Sequence, residues 1–211
     1  MTEGRTVHLV DDDEAIRRSA SFLLRTSGYL VKTYASGVEL LAQARELAAG
    51  CILMDVRMPE MDGLEVQRRL RDSGVLLPVV VITGHGDVNL AVQAMKAGAV
   101  DFIEKPFEKA PLLSAIEEGF ARIEEAGRRH ARAEEARVRL EALTPRERDV
   151  LEGLVRGHPN KTIAYDLGIS PRTVEIHRAN LMAKLGVPSL SEALRLAFAA
   201  GLGEEGETPT A

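Results

Sequence analysis

The chain has 211 residues, of which 45% are hydrophobic, 4% aromatic and 28% charged, with a net charge of −5. This is a globular composition for one large or two modest domains. The single cysteine, Cys51, excludes a disulfide within the chain. No run approaches the roughly 20 apolar residues that span a bilayer, and the N-terminus does not have the pattern of a signal peptide. We therefore expect a soluble, cytoplasmic protein with no membrane partner.

The charge is unevenly distributed along the chain. Residues 1–120 carry 13 Lys and Arg against 18 Asp and Glu, whereas residues 143–199 carry 8 against 6. An acidic protein is a poor partner for nucleic acid, but the second part of this chain leans basic.

The first part of the sequence alternates short apolar runs with amphipathic helical segments. Helices are predicted at about 14–27, 36–48, 63–72, 87–97 and 110–123, and glycines follow several of them. Repeated strand-helix units indicate an α/β fold with a parallel sheet. Five strands and five helices in 120 residues favour the flavodoxin-like strand order 2-1-3-4-5.

Polar residues stand where four of the predicted strands end. In chain order they are Asp11 and Asp12, Asp55, Thr83 and Lys105. The carboxyl ends of parallel strands meet at one edge of a sheet, which forms the ligand crevice of such folds. We therefore expect these side chains to lie close together.

Three clustered carboxylates repel one another and favour a bound cation. Oxygen ligands without Cys or His indicate Mg²⁺. The chemistry that fits is phosphoryl transfer to Asp55 as nucleophile, assisted by the charge of Lys105 and the hydroxyl of Thr83. Asp13, in contrast, is predicted only to cap the following helix.

Residues 1–122 resemble the receiver domain of bacterial response regulators. The segments that carry the resemblance are LVDDD at 9–13, MDVRMP at 54–59 with DG at 62–63, VITGHG at 81–86 and FIEKPF at 102–107. The resemblance implies that a sensor histidine kinase phosphorylates Asp55. It also implies that Asp12, Asp55 and the Arg57 carbonyl bind Mg²⁺ directly and that Asp11 binds it through a water molecule. Thr83 and Lys105 would then sense the phosphoryl group, and Phe102 would change its rotamer on activation.

The loop after Thr83 contains two glycines and is predicted to move. Asp87 can cap the next helix, and His85 is interpreted as polar surface. The resemblance implies that this helix, the last strand and the helix after it form the face on which receivers dimerise.

A helical connector at 123–142 is predicted to lead into a small helical domain at 143–200. Thr144 and Glu147 form a capping box, Asn160 and Ser170 are predicted to cap the next two helices, and Ser189 begins a fourth. The spacing between the second and third helices is that of a helix-turn-helix. Residues 201–211 are expected to be a disordered tail.

The third helix of this domain is predicted to read DNA. If Val174, Leu181 and Leu185 face the core, the opposite side faces outward, with Arg172, Glu175, Ile176, Ala179 and Ala183. Contacts to the phosphates of the DNA backbone are predicted for two sets of residues. Lys161, Thr162 and Thr173 lie near helix N-termini, and Arg178 and Lys184 lie on the flanks. His177 is interpreted as half-buried packing.

This second part resembles the LuxR-type DNA-binding domain of FixJ/NarL regulators. The matching segments are LTPRER at 143–148, NKTIA at 160–164, SPRTVEIH at 170–177 and KLG at 184–186. Several relatives carry lysine where this chain has Glu175 and Ala179, so its reading face is less basic. The two resemblances imply a transcription regulator that dimerises on phosphorylation and binds promoter DNA, with RNA polymerase as a candidate partner. It is not expected to be an enzyme beyond self-catalysed phosphorylation and dephosphorylation.

Three alternatives remain open from the sequence. The pair Asp11 and Asp13 also fits a haloacid-dehalogenase-like phosphatase, although that interpretation leaves Asp55 without a role. A receiver that acts only by binding protein would be favoured if the basic second part showed no salt-dependent DNA binding. The second part could also be a helical bundle that packs on a protein.

Overall fold

The computed structural model describes residues 4–84 and 88–203, in two compact units, Met1–Glu125 and Ala126–Ala211. The first unit contains a five-stranded sheet. Its strands are β1 (Thr6–Val10), β2 (Leu30–Tyr34), β3 (Gly50–Asp55), β4 (Val79–Thr83) and β5 (Asp101–Glu104). All neighbouring pairs are parallel, in the order β2-β1-β3-β4-β5. The predicted flavodoxin-like fold is confirmed.

Helices cover both faces of this sheet. They are α1 (Glu14–Thr26), α2 (Gly37–Ala42), α3 (Gly63–Asp72), α4 (Val88–Lys96) and α5 (Lys109–Glu141). One core cluster packs the sheet against α1 and α5, and a second packs it against α2, α3 and α4. The predicted α4 cap, Asp87, and His85 lie outside the described residues.

The helix predicted at 36–48 is shorter in the structure. It ends at Ala42 and is followed by a 3₁₀ turn, Ala44–Glu46. By Leu47 the backbone is extended, and the Ala48 carbonyl accepts a hydrogen bond from His8 Nε2 at 2.9 Å. The turn therefore returns the chain to the sheet, where β3 begins at Gly50.

The central strand β3 is buried along its whole length, as a continuous apolar run predicts. Cys51 packs beneath α5, and a Cβ at Gly119 would lie only 2.7 Å from its Sγ. Burial raises the pKa of the Cys51 thiol to about 12. The cysteine is therefore a packing residue of the core.

The second unit contains α6 (Pro145–Val155), α7 (Asn160–Leu167), α8 (Pro171–Leu185) and α9 (Leu190–Ala199). Its core includes Leu140 from the end of α5, and Ala136 one turn earlier is also buried. The predicted capping box of Thr144 and Glu147 is present. Among the described helices, none is long and apolar enough to cross a membrane.

One predicted cap in this unit is wrong. Asn160 is the first residue of α7 rather than its cap, and Pro159 occupies the cap position without a side-chain hydrogen bond. The Asn160 carboxamide oxygen instead accepts a hydrogen bond from Arg178 Nη1 at 2.9 Å. The side chain is therefore used to join α7 to α8.

Candidate functional site

Strand register brings the predicted acids together. Val10 pairs with Met54 in the sheet, so Asp11 follows β1 beside the point where Asp55 ends β3. A carboxylate oxygen from each of Asp11, Asp12 and Asp55 lies within 4.8 Å of the other two. The convergence predicted from the sequence is present at the carboxyl edge of the sheet.

The three carboxylates differ in burial and in hydrogen bonding. Asp11 is fully buried and accepts from the Asp13 N–H at 2.9 Å. Asp55 is 6% exposed and accepts from the Arg57 N–H at 3.0 Å, whereas Asp12 is exposed. One oxygen of each buried acid is thus fixed by the backbone, and the other faces the cluster.

Lys105 bridges the two buried acids. Its Nζ lies 2.7 Å from Asp11 Oδ2 and also donates to Asp55 Oδ2. Burial lowers the pKa of Lys105, but hydrogen bonds to Asp11 and Asp55 outweigh it and leave the pKa raised. Burial also raises the pKa of Asp11, against the opposing effect of Lys105. The site therefore holds the charged Lys105 ammonium group between the carboxylates of Asp11 and Asp55.

Thr83 and Phe102 lie on the two strands next to this cluster. Thr83 ends β4 and is buried, and its carbonyl accepts from the Lys105 N–H at 2.8 Å. The Phe102 side chain on β5 is 44% exposed. Both side chains line one apolar cavity of about 280 Å³ between α4 and β5. This cavity therefore extends from Thr83 to Phe102.

Gly63 is a site residue whose role sequence reasoning missed. Its N–H donates to the Val56 carbonyl at 2.8 Å, and a Cβ there would lie 2.5 Å from the Asp55 carbonyl oxygen. The backbone of Asp55 and Val56 therefore leaves room only for glycine at this position. The pair Asp62 and Gly63 was visible in the sequence, but the close approach needed the fold.

The third helix of the second unit, α8, has the two faces that its sequence predicts. Val174, Leu181 and Leu185 are buried in the core. The opposite side is exposed and carries the predicted reading residues Arg172, Glu175, Ile176, Ala179 and Ala183. His177 is half-buried.

The predicted phosphate contacts have different surroundings. Lys161 is exposed, and Thr162 and Thr173 are half-buried. Arg178 donates to Asn160, and Lys184 Nζ lies 2.7 Å from Glu147 Oε2. Glu147 is only 4% exposed, and its pairing with Lys184 was not predicted because they are far apart in sequence.

A parallel sheet with acids and a lysine at its carboxyl edge, followed by a helix-turn-helix, defines the response regulators with a DNA-binding domain. Residues 7–117 match the response regulator receiver domain family, and residues 141–197 match the bacterial regulatory proteins of the luxR family. The chain belongs to the FixJ-like response regulators, with a receiver and a LuxR-type DNA-binding domain.

Relatives over the whole length support this assignment. The transcriptional regulatory protein FixJ of Rhizobium meliloti (strain 1021) is 50% identical over 198 residues, which cover 94% of this chain and 97% of that protein. FixJ of Azorhizobium caulinodans is 49% identical over 211 residues, which cover 100% of both.

Solved structures agree with the fold. Full-length FixJ from B. japonicum superimposes with a TM-score of 0.61 at 45% identity, covering 95% of this chain and 98% of that one. The response regulator StyR gives a TM-score of 0.70 at 41% identity, covering 92% and 98%.

The family and the geometry both disfavour the phosphatase alternative. Asp13, which would be its acid/base, caps α1 and accepts from the backbone N–H groups of Ala15 at 2.7 Å and Ile16 at 3.4 Å. The protein is a transcription regulator rather than a classical enzyme. Its LuxR-type domain also argues against a receiver that acts only through protein contacts.

Proposed function

We propose that Asp55 is the phospho-acceptor of a two-component system and that a sensor histidine kinase supplies the phosphoryl group. A carboxylate oxygen of Asp55 bonds to phosphorus while the P–N bond of the donor phosphohistidine breaks, and the imidazole nitrogen leaves. In self-catalysed dephosphorylation, water attacks the phosphorus, the acyl phosphate bond breaks, and Asp55 and inorganic phosphate are released.

The residues at the cluster fit Mg²⁺. Its ligands would be Asp12 and Asp55 directly, the Arg57 carbonyl, and Asp11 through a water molecule. Three carboxylates with an oxygen each inside 4.8 Å match the preference of Mg²⁺ for hard oxygen ligands. When bound, the ion offsets negative charge on the phosphoryl oxygens.

Lys105 and Thr83 sense the phosphoryl group. Lys105 already donates to Asp55 and can donate to a phosphoryl oxygen instead, and the Thr83 hydroxyl on the neighbouring strand can donate to another. The Phe102 ring moves as Thr83 is drawn toward the phosphoryl group, because both side chains line the cavity between α4 and β5.

The response to phosphorylation is dimerisation through the α4–β5 patch, which we define as Val92, Met95 and Phe102. These side chains are 47%, 40% and 44% exposed, so an apolar surface is available beside the switch. A dimer brings two α8 helices to two half-sites of promoter DNA and increases binding through effective concentration. RNA polymerase is a candidate partner of the bound dimer.

The proposed organisation is a receiver at 1–122, a helical connector at 123–142, a DNA-binding domain at 143–200 and a tail at 201–211. Direct DNA contacts are proposed for the exposed side of α8, Arg172, Glu175 and Ile176, for Lys161, Thr162 and Thr173 near helix N-termini, and for Arg178 on the flank.

The observation that carries this proposal is the convergence of Asp11, Asp12, Asp55 and Lys105 on one edge of the sheet. The test treats the full chain and Asp55→Asn with acetyl phosphate and Mg²⁺. Wild type should gain the mass of one phosphoryl group and self-associate, and Asp55→Asn should do neither.

Asp72→Asn is a matched control, because Asp72 ends α3 away from the cluster and is exposed. It should behave as wild type. A phosphorylated Asp55→Asn variant would overturn the assignment of the acceptor, and a phosphorylated wild type that stays monomeric would overturn the dimer.

A further inference from the structure

The C-terminal end of α8 is held by two cations. Lys184 Nζ donates to Glu147 Oε2 on α6, and Arg139 Nη2, near the end of α5, donates to the carbonyl of Leu185. These contacts lie on the helix that carries the proposed reading face. Each of these two cations therefore has a partner within the protein.

The Lys184 ammonium neutralises a buried acid. Glu147 is 4% exposed and accepts from the Thr144 N–H at 2.8 Å as well as from Lys184 at 2.7 Å. Removing one partner of a buried ion pair leaves an uncompensated charge, which is strongly unfavourable. If Lys184 turned to a phosphate, Glu147 would lose this partner.

Arg139 contacts the last backbone carbonyl of the same helix end. The last carbonyl groups of a helix have no partner within the helix, and its dipole favours a cation there. Gly186 follows in the left-handed conformation, with φ 62°, and Arg139 lies beside it. Leu140, the next residue on α5, is buried in the core of this unit, and Ala136, about one turn before Arg139, is also buried. The last turns of α5 are thus packed into the same unit as α8 and contact its end through Arg139.

We propose that Lys184 and Arg139 are positioning residues that fix the angle of α8 for DNA binding and do not contact phosphates. For Lys184 this replaces the contact predicted from its sequence position. The inference rests on the proposed binding of DNA through α8. It distinguishes these two cations from Lys161, which is exposed near the start of α7.

The salt dependence of DNA binding separates the two roles. Each phosphate contact contributes about 0.9 to the slope of log K against log salt concentration. We would select a duplex from a random library with the phosphorylated full chain and measure its binding by Lys184→Gln, Arg139→Gln and Lys161→Gln. The first two should bind roughly tenfold more weakly with an unchanged slope, whereas Lys161→Gln should lose about 0.9 from the slope.

Glu147→Gln gives a second test, because the positioning role and the phosphate-contact role of Lys184 predict opposite changes in affinity for the selected duplex. If Lys184 positions α8, this variant should bind the selected duplex more weakly, although it removes a negative charge. If Lys184 contacts phosphate, freeing it should strengthen binding. Glu141→Gln, on an exposed residue at the end of α5, is the matched control and should bind as wild type does.

The outcomes are distinct. A slope reduced by about 0.9 in Lys184→Gln or Arg139→Gln, or tighter binding by Glu147→Gln, would overturn the inference. Rescue of affinity by Lys184→Arg and Arg139→Lys supports it. If a Gln variant does not fold, the Glu147→Gln result decides. A wild-type chain that enriches no duplex would refute the proposed function instead.

Discussion

Lys105 follows β5 directly, and its Nζ lies 2.7 Å from Asp11 Oδ2, although β5 is three positions away in the sheet from β1, the strand that leads to Asp11. The same ammonium donates to Asp55, which ends the strand adjacent to β1. One cation therefore already neutralises part of the acidic cluster. A divalent ion that binds Asp55 must share this carboxylate with Lys105.

Replacing Lys105 with methionine should increase Mg²⁺ affinity and impair the response to phosphorylation. Loss of the ammonium removes a competitor for Asp11 and Asp55, and roughly a tenfold tighter dissociation constant corresponds to one charge-assisted hydrogen bond of about 1.5 kcal/mol. Titration calorimetry with MgCl₂ measures the change. Lys32→Met, at an exposed position on β2, should leave it unaltered, and equal affinities for both variants would contradict the competition.

Two glycine-to-alanine substitutions should have opposite effects on stability. At Gly63 the new Cβ would lie 2.5 Å from the Asp55 carbonyl oxygen, so we expect a loss of about 1–3 kcal/mol in the free energy of unfolding and slower phosphorylation. At Gly127, inside α5, a Cβ meets nothing within 4 Å, and alanine should add about 0.5–1 kcal/mol. Urea denaturation measures both. An unchanged free energy of unfolding in Gly63→Ala would show that the loop after β3 can shift to accommodate the Cβ.

The cap at Asp13 can be separated from the chemistry at Asp55. Asp13→Ala should lower the free energy of unfolding by about 1 kcal/mol, because two N–H groups at the start of α1 lose their acceptor. Acetyl phosphate should still phosphorylate Asp55 in this variant, as shown by peptide mass spectrometry. Loss of phosphorylation in the folded variant would assign Asp13 a role that its geometry does not suggest.

Acid should weaken the DNA-binding unit through Glu147. Burial raises the pKa of this carboxyl, but hydrogen bonds from Lys184 and Thr144 outweigh it and hold the pKa below its ordinary value. Since the folded pKa is depressed, the stabilisation is complete above the ordinary glutamate pKa of about 4.3 and is lost as pH falls through the folded value. Glu147→Gln should be less stable at neutral pH and flatter between about pH 5 and 3, measured by thermal melts. A pH profile parallel to wild type would contradict the role of this group.

Most of the receiver fold could be predicted because it depends on local patterns. Buried parallel strands appear as continuous apolar runs, so the ends of β1, β3 and β4, beside Asp11, Asp55 and Thr83, could be placed from the sequence. The position of Asp55 at a strand end followed from the same runs. The meeting of Asp11 with Lys105, far apart in sequence, followed from the parallel topology that those strands imply.

Sequence reasoning missed partners that are distant in sequence. Asparagine is a common helix cap, but the Asn160 side chain instead accepts a hydrogen bond from Arg178 on α8. Lys184 has the position of a phosphate contact, and its pairing with the buried carboxylate of Glu147 supports the proposal that it positions α8 instead. No local pattern shows which of two suitable partners a polar side chain will choose. Packing decides, and it brings α6, α7 and α8 together.

The burial of Cys51 has a practical consequence for spectroscopy. It is the only cysteine in the chain, and with its side chain enclosed and its pKa raised to about 12, it presents almost no thiolate to maleimide or iodoacetamide reagents at neutral pH. A cysteine introduced on an exposed helix would therefore be the sole site of dye attachment. Energy transfer between labelled chains could then follow assembly in real time without first removing a native thiol.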